Sequence, residues 1–394
     1  MPHFWRLGGL AADVIFMCDR PELGNPARTL LTLRQPKRIP ELDGVRGIAV
    51  ALVLIWHYGV CQAKFAPDSW VTSLSSTLAL TWSGVDLFFV LSGFLIVGIL
   101  VDSKDTPHYF KAFFVRRACR ILPVYYVILL LFIPFSRLDI STHTWLFDEK
   151  LPFWSYFLFL QNFFMHRVGF GPNWMGVTWS LAIEEQFYLL IPFFVRFFSR
   201  KWLVLTFVAM IVISPLARFL LGYWGNYTLP FARADSIAAG ALLALLVRNV
   251  RVMDWLTRHR HLVVGVAAVL CLGLIPITVW KWGLGHPWGH LWLAAIYSGI
   301  LLSAYVCRGG LLSLMLSGHS LRWLGTRSYA LYLFHQPVAG VVYGALGYNR
   351  PKFSSLAESG IMFLCLGLVF LLAEFSMWVI ERPAQKLSHR VTYA

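Results

Sequence analysis

The chain has 394 residues, of which 58% are hydrophobic and only 13% charged, and its mean hydropathy is +0.64. A soluble globular domain is nearer about a quarter charged, so this balance excludes an ordinary water-soluble enzyme, a disordered chain and a collagen-like repeat. The net charge of +15, from 34 Lys and Arg against 19 Asp and Glu, is what basic loops on one side of a bilayer produce, and it calls for no nucleic-acid partner.

Residues 1–38 are polar and rich in Arg and Pro, and read as a flexible cytoplasmic extension, with Met17 as a second candidate start. Asp13 interrupts the weakly apolar run from Leu7 to Cys18 and no small-residue cleavage site follows, which argues against a signal peptide. Apolar segments then recur near 44–61, 78–101, 120–135, 179–198, 202–221, 232–248, 262–281, 291–307, 328–348 and 356–381. A helical span takes about 20 mostly apolar residues. The pattern predicts an all-α membrane protein, a polytopic bundle of about ten transmembrane helices. Its membrane domain covers 39–385 and is followed by a short cytoplasmic tail, 386–394.

The aromatic segment from Phe153 to Met165, about 13 residues, is short for a crossing. If it stays on one face, the loops on the N-terminal side collect roughly 24 basic residues against 6 on the other. If it crosses, every later basic loop flips outward. The count favours both termini in the cytoplasm and a long outer loop, 136–178, with a re-entrant or interfacial aromatic piece.

Ionisable residues inside membrane helices are costly and point to function. Arg46 and His57 lie on the first span, and three helical turns bring them round to nearly the same face, about 16 Å apart along the axis. The plainer reading is a snorkelling arginine and a histidine satisfied by a neighbouring helix. Asp86 sits in the apolar second span and needs a partner, while Ser92, beside Gly93, reads as a helix-packing residue. Before the third span, Arg117 and Arg120 are three apart with Arg116 alongside. Such a guanidinium cluster suits a phosphate or pyrophosphate, or anchors the helix at lipid head groups. Glu184 and Glu185 open a further span near the outer surface, about 100° apart on the helix, so one can face the bundle while the other caps the N-terminus. Arg233 with Asp235 reads as packing glue, and His335 stays open between glue and chemistry.

No Walker A, HExxH or Rossmann glycine pattern is present, and the six cysteines show no CxxC or Cys/His spacing for a metal. A match to HxxxxD at His143 and Asp148 is weak and sits in the outer loop.

The stretches Ile39–Ala49 running on to His57, Gly84–Ile96, Arg116–Pro123, Trp179–Tyr188, Tyr329–Pro337 and Glu381–Pro383, all in order, resemble the acyltransferase-3 family of integral membrane O-acyltransferases. The resemblance covers about 39–385. It implies roughly ten membrane helices, a cytoplasmic acyl-CoA donor as substrate with no permanently bound cofactor or metal, and a carbohydrate or lipid-linked glycan as acceptor, in the bacterial cytoplasmic membrane. Arg46 and His57 fit the family's spacing of arginine, ten residues and histidine, so His57 is implied as the catalytic histidine. Arg117 and Arg120 match an RxxR motif tied to the donor, and with Arg46 and Arg116 form the expected donor-binding set. Glu184 matches the acid of W-S-L-x-x-E, expected to assist His57 from the outer half. Some members carry a fused extracytoplasmic hydrolase-like domain, which this sequence is expected to lack.

The chemistry expected is O-acyl transfer, with acetyl as the expected group and the imidazole taking the acceptor proton or briefly carrying the acyl group. Two other readings stand beside it. A glycan or lipid-precursor transporter would line a permeation path with the same charges. A sensor would make Arg46 and His57 dispensable together.

Overall fold

A computed structural model describes residues 39–62, 78–148, 151–274, 287–388 and 390–393. The expected N-terminal extension, 1–38, lies outside these. Among the described residues there are ten helices of 13 residues or more and no strand. They are α1 (Pro40–Leu54), α2 (Gly84–Asp102), α3 (Tyr109–Phe135), α4 (Trp179–Phe197), α5 (Arg200–Leu220), α6 (Pro230–Leu246), α7 (Arg260–Leu272), α8 (Gly289–Val306), α9 (His319–Ala345) and α10 (Leu356–Ser376).

Seven helical stretches are long and apolar enough to cross a bilayer: those containing α1, α2, α3, α5, α6, α8 and α10. The protein is an all-α polytopic membrane protein. Three of the ten expected spans therefore lack that signature, for visible reasons. α4 carries three charged side chains, Glu184, Glu185 and Arg196, in 19 residues, and α9 carries Arg322, Arg327, His335, Gln336 and Pro337. α7, at 13 residues, is apolar but short, and ends at Leu272 with Gly273 as its C-cap.

Glycines set how closely the helices pack. A Cβ on Gly325 would stand 1.7 Å from the Asp43 carbonyl oxygen, and one on Gly240 would stand 1.8 Å from that of Val90. Backbones touch at these points, which joins α9 to α1 and α6 to α2. Lipid tails are as apolar as leucine, so close packing of small residues replaces the hydrophobic drive available in water.

One end of the bundle gathers its basic residues. Arg248 grips Asp102 with both arms, at 2.6 and 2.5 Å, tying the end of α6 to the end of α2. Lys104 donates to the Phe198 carbonyl at 3.0 Å, and Arg200 donates to that of Leu245 at 2.7 Å. Arg116 reaches the Val391 carbonyl at 3.1 Å. Helix ends that carry orphan carbonyls thus meet side-chain cations. At the opposite end, the Trp174 indole donates to the Ile128 carbonyl and Thr142 to that of Gly340.

The aromatic segment expected to lie in the interface is two short helices, Trp154–Phe157 and Gln161–Val168. Neither is long enough to cross. Tyr125 of α3 donates to the Tyr156 carbonyl at 2.7 Å and stacks on Phe159, while Trp154 and Leu158 remain exposed.

Candidate active site

His57 stands in a π-helical turn, Ile55–Val60, that continues α1. Such wide turns re-aim side chains and recur at functional sites. The Gln336 amide nitrogen of α9 lies 3.0 Å from His57 Nδ1. An amide offers a donor at one end and an acceptor at the other. With nitrogen donating, Nδ1 accepts and the ring proton sits on Nε2. With the amide turned end for end, Oε1 accepts from Nδ1–H and Nε2 keeps a free lone pair. His335 packs its ring 4.8 Å from that of His57, is fully buried, and donates from Nδ1 to the Tyr332 carbonyl at 2.7 Å. Tyr58 donates to the His335 carbonyl at 2.6 Å. These bonds fix the α9 segment against which the His57 ring rests.

His57 opens into a cavity of about 60 Å³, lined by Trp56, Trp82, Trp179, Tyr227 and Gln336 among others. Room for several waters makes it large enough for a small polar group. Arg46, Arg117, Arg120 and Glu184 line a second cavity of about 110 Å³. Val85 and Tyr332 are common to both linings. Helical spacing thus turns Arg46 and His57 to the inside of the bundle as expected, but into two abutting cavities rather than one.

Glu184 departs from its expected place. It lies with the arginines, not beside His57, and its carboxylate accepts from Ser92 Oγ at 2.8 Å and from the Tyr188 hydroxyl at 3.0 Å. Ser92 and Tyr188 are also 2.9 Å apart, so the three close a ring. Ser92, read from sequence as packing, is a ligand of the carboxylate. Nor does either acid cap α4. The helix begins at Trp179, which puts both beyond its first turn, and Glu185 Oε1 is buried with no hydrogen-bond partner among the described residues.

Arg116 also departs from the expected donor set. It points along α3 to the C-terminal tail, with its guanidinium 5.0 Å above the Tyr393 ring, while Arg117 and Arg120 face the cavity. Successive helical residues diverge by about 100°, so three adjacent-looking arginines cannot share one face.

Arg233 and Asp235 are not partners of each other. Two residues apart on α6 they point to opposite sides, and each pairs with another helix. Arg233 Nη2 donates to Asp86 Oδ1 of α2 at 2.9 Å, and Asp235 accepts from Arg218 of α5 at 2.7 Å. All four side chains are buried. Ser236 adds a 3.1 Å bond to Asp86, His290 of α8 joins the Arg233 cluster, and Arg233 lies over Phe89, Trp179 and Tyr227. Paired, hydrogen-bonded charges of this kind are tolerated in an apolar interior. Arg218 and His290 escaped the sequence reading, although each is an ionisable residue within an apolar stretch. His143 of the HxxxxD match bonds the Ser136 carbonyl at 2.8 Å and lines neither cavity.

The family model described as an acyltransferase domain matches residues 39–378. The chain belongs to the acyltransferase-3 family. Among curated relatives of this acyltransferase domain is the peptidoglycan O-acetyltransferase OatA of Listeria monocytogenes, 29% identical over 377 residues, a match covering 89% of this chain and 56% of the relative. A putative peptidoglycan O-acetyltransferase, YrhL, of Bacillus subtilis is 28% identical over 391 residues, with coverage of 89% and 56%. A putative O-acetyltransferase of Staphylococcus aureus is 25% identical, with coverage of 92% and 60%. The chain thus spans little more than half the length of these relatives. No solved structure matches it.

Proposed function

We propose that this acyltransferase domain is an integral membrane O-acyltransferase that moves an acetyl-sized group from acyl-CoA to a hydroxyl of a glycan, with peptidoglycan the first acceptor to try. The observation that carries this reading is the pairing of two cavities with two common wall residues, one lined by His57 and the other by three arginines. Membership of the family and the names of the relatives support the same chemistry.

In this reading the basic end of the bundle faces the cytoplasm, all ten long helices cross, and 39–385 is one membrane domain with a cytoplasmic tail at 386–394. The location is the bacterial cytoplasmic membrane. Arg46, Arg117 and Arg120 hold the phosphates of the entering donor, for which the planar guanidinium is well suited. Gln336 Oε1 accepts from His57 Nδ1–H, leaving His57 Nε2 to take the acceptor hydroxyl proton. The alkoxide attacks the thioester carbonyl, the C–S bond breaks, and the CoA thiolate takes the proton back from the imidazolium. Glu184 acts on the donor side. The buried ion pairs face helices rather than either cavity, so they lend nothing to a permeation path.

The test uses purified full-length chain, acetyl-labelled acetyl-CoA and soluble peptidoglycan fragments. His57→Ala is expected to abolish transfer while leaving the thermal midpoint within a few degrees. Undiminished transfer by that variant removes the mechanism.

A further inference from the structure

Arg233 lines neither cavity, yet two rings that line the His57 cavity stand over its guanidinium, Trp179 at 5.6 Å and Tyr227 at 5.3 Å. We propose that Arg233 is a positioning residue for the acceptor: it holds Trp179 and Tyr227 as the wall against which the acceptor sugar is seated beside His57. The proposal rests on the reading above, in which the acceptor hydroxyl meets His57 in this cavity.

The cation is itself fixed. Arg233 Nη2 donates to Asp86 Oδ1 at 2.9 Å, Nη1 meets the His290 ring at 2.6 Å, and Ser236 braces Asp86 at 3.1 Å. Both charged side chains are fully buried. A cation within about 6 Å of a ring centre attracts it, most strongly where water is excluded. The two rings also meet each other, with centres 4.7 Å apart, and Tyr227 meets Phe170 of the same lining edge-on at 5.6 Å. His290 extends the support to a third lining ring, Trp82, at 5.4 Å.

These rings come from separate stretches of chain. Trp82 precedes α2, Trp179 opens α4, and Tyr227 lies in the short helix Tyr223–Thr228. A common anchor fixes their relative placement. None of the three lines the arginine cavity, so the effect falls on the acceptor side. Phe89, 5.7 Å from Arg233, does line that cavity, but it sits fully buried in mid-α2, where its own helix holds it. Aromatic walls with a few polar groups suit a sugar, whose C–H face packs on the rings while its hydroxyls meet amides such as Gln336 and Asn173.

The experiment measures KM for soluble peptidoglycan fragments and for acetyl-CoA in parallel, with the purified full-length chain. Two variants disturb the anchor without leaving a lone buried charge. Arg233→Lys keeps a cation for Asp86 but loses the planar group that stacks on rings. Arg233→Met combined with Asp86→Asn removes the pair together. Once the wall loosens, acceptor binding must restore it, so affinity falls by what the cation–π contacts supplied, about 10- to 30-fold. The double variant is expected to raise the acceptor KM by that factor and Arg233→Lys by less, with the KM for acetyl-CoA unchanged in both. An unchanged acceptor KM in both overturns the proposal, because loss of folded protein lowers kcat and leaves KM alone. An equal rise in the two KM values also overturns it, by moving the effect to the donor. If the double variant does not fold, Tyr227→Leu, which spares the ion pair, takes its place: the same rise in acceptor KM is expected, and none overturns the proposal. All these results leave the O-acyltransferase reading standing. A wild type that moves acetyl to no fragment overturns the acceptor reading and this inference together.

Discussion

Gln336 Nε2 and His57 Nδ1 stand 3.0 Å apart, and this contact, not one to a carboxylate, orients the candidate catalytic ring. A neutral amide holds a tautomer without adding charge to a membrane interior, where a lone carboxylate is costly. Replacing it by an apolar side chain of similar size, Gln336→Leu, frees the ring. Misplacement by about 1 Å is worth on the order of 10²-fold. The expected result is a fall of that size in kcat with the KM for acetyl-CoA unchanged, and partial recovery in Gln336→Glu, whose carboxylate accepts the same proton. A rise in KM with kcat intact places Gln336 at the donor instead.

Arg117 and Arg120 face the larger cavity from α3. Charged hydrogen bonds to phosphate are worth about 1.5–3 kcal/mol each, or roughly 10–150-fold. Arg117→Ala and Arg120→Ala are expected to raise the KM for acetyl-CoA within that range. Lysine at either position restores only part, because a point charge lacks the planar fork. Arg116→Ala, which loses contacts only to the tail, should leave that KM unchanged. Steady-state kinetics of the five variants decide this.

The bundle was legible because apolar segments of the right length recur, and each of the ten long helices overlaps one expected span. Partners within it were not. Asp86 announced that it needed a partner, but Arg233 lies 147 positions further on, and helix periodicity says which way a side chain points without saying which helix it meets. The neighbouring acid Asp235 drew the assignment only by proximity in sequence. Glu184 went astray for a related reason: its motif spacing is local, whereas its cavity is built with Ser92 of α2. Gln336 was passed over because an amide carries no charge to flag it, although it follows the singled-out His335 directly.

The Arg233–Asp86 pair invites a double-mutant cycle. Removing one member leaves a buried charge alone, at a cost of about 3–5 kcal/mol, whereas removing both leaves none. Arg233→Met and Asp86→Asn should each lower the thermal midpoint in detergent sharply, and the double variant should recover much of the loss. Additive losses mean that the two side chains act separately, with His290 and Ser236 supplying the real support for Asp86.

Ser92 and Tyr188 both donate to Glu184, one to each carboxylate oxygen. An acid so held presents a fixed face to a cavity that also contains three guanidiniums, and without the two hydroxyls it can swing to pair with Arg46 or Arg117 and occlude the donor space. Loss of one hydrogen bond to a charged group is worth about 1.5–3 kcal/mol. Ser92→Ala and Tyr188→Phe are therefore expected to weaken acetyl-CoA binding by roughly 10-fold or more each, while Glu184→Gln, which keeps the shape and removes the charge, binds the donor but transfers slowly. Isothermal titration with acetyl-CoA and single-turnover rates separate the two effects. If Ser92→Ala and Tyr188→Phe bind the donor as wild type does, the ring of three serves only to join α2 to α4.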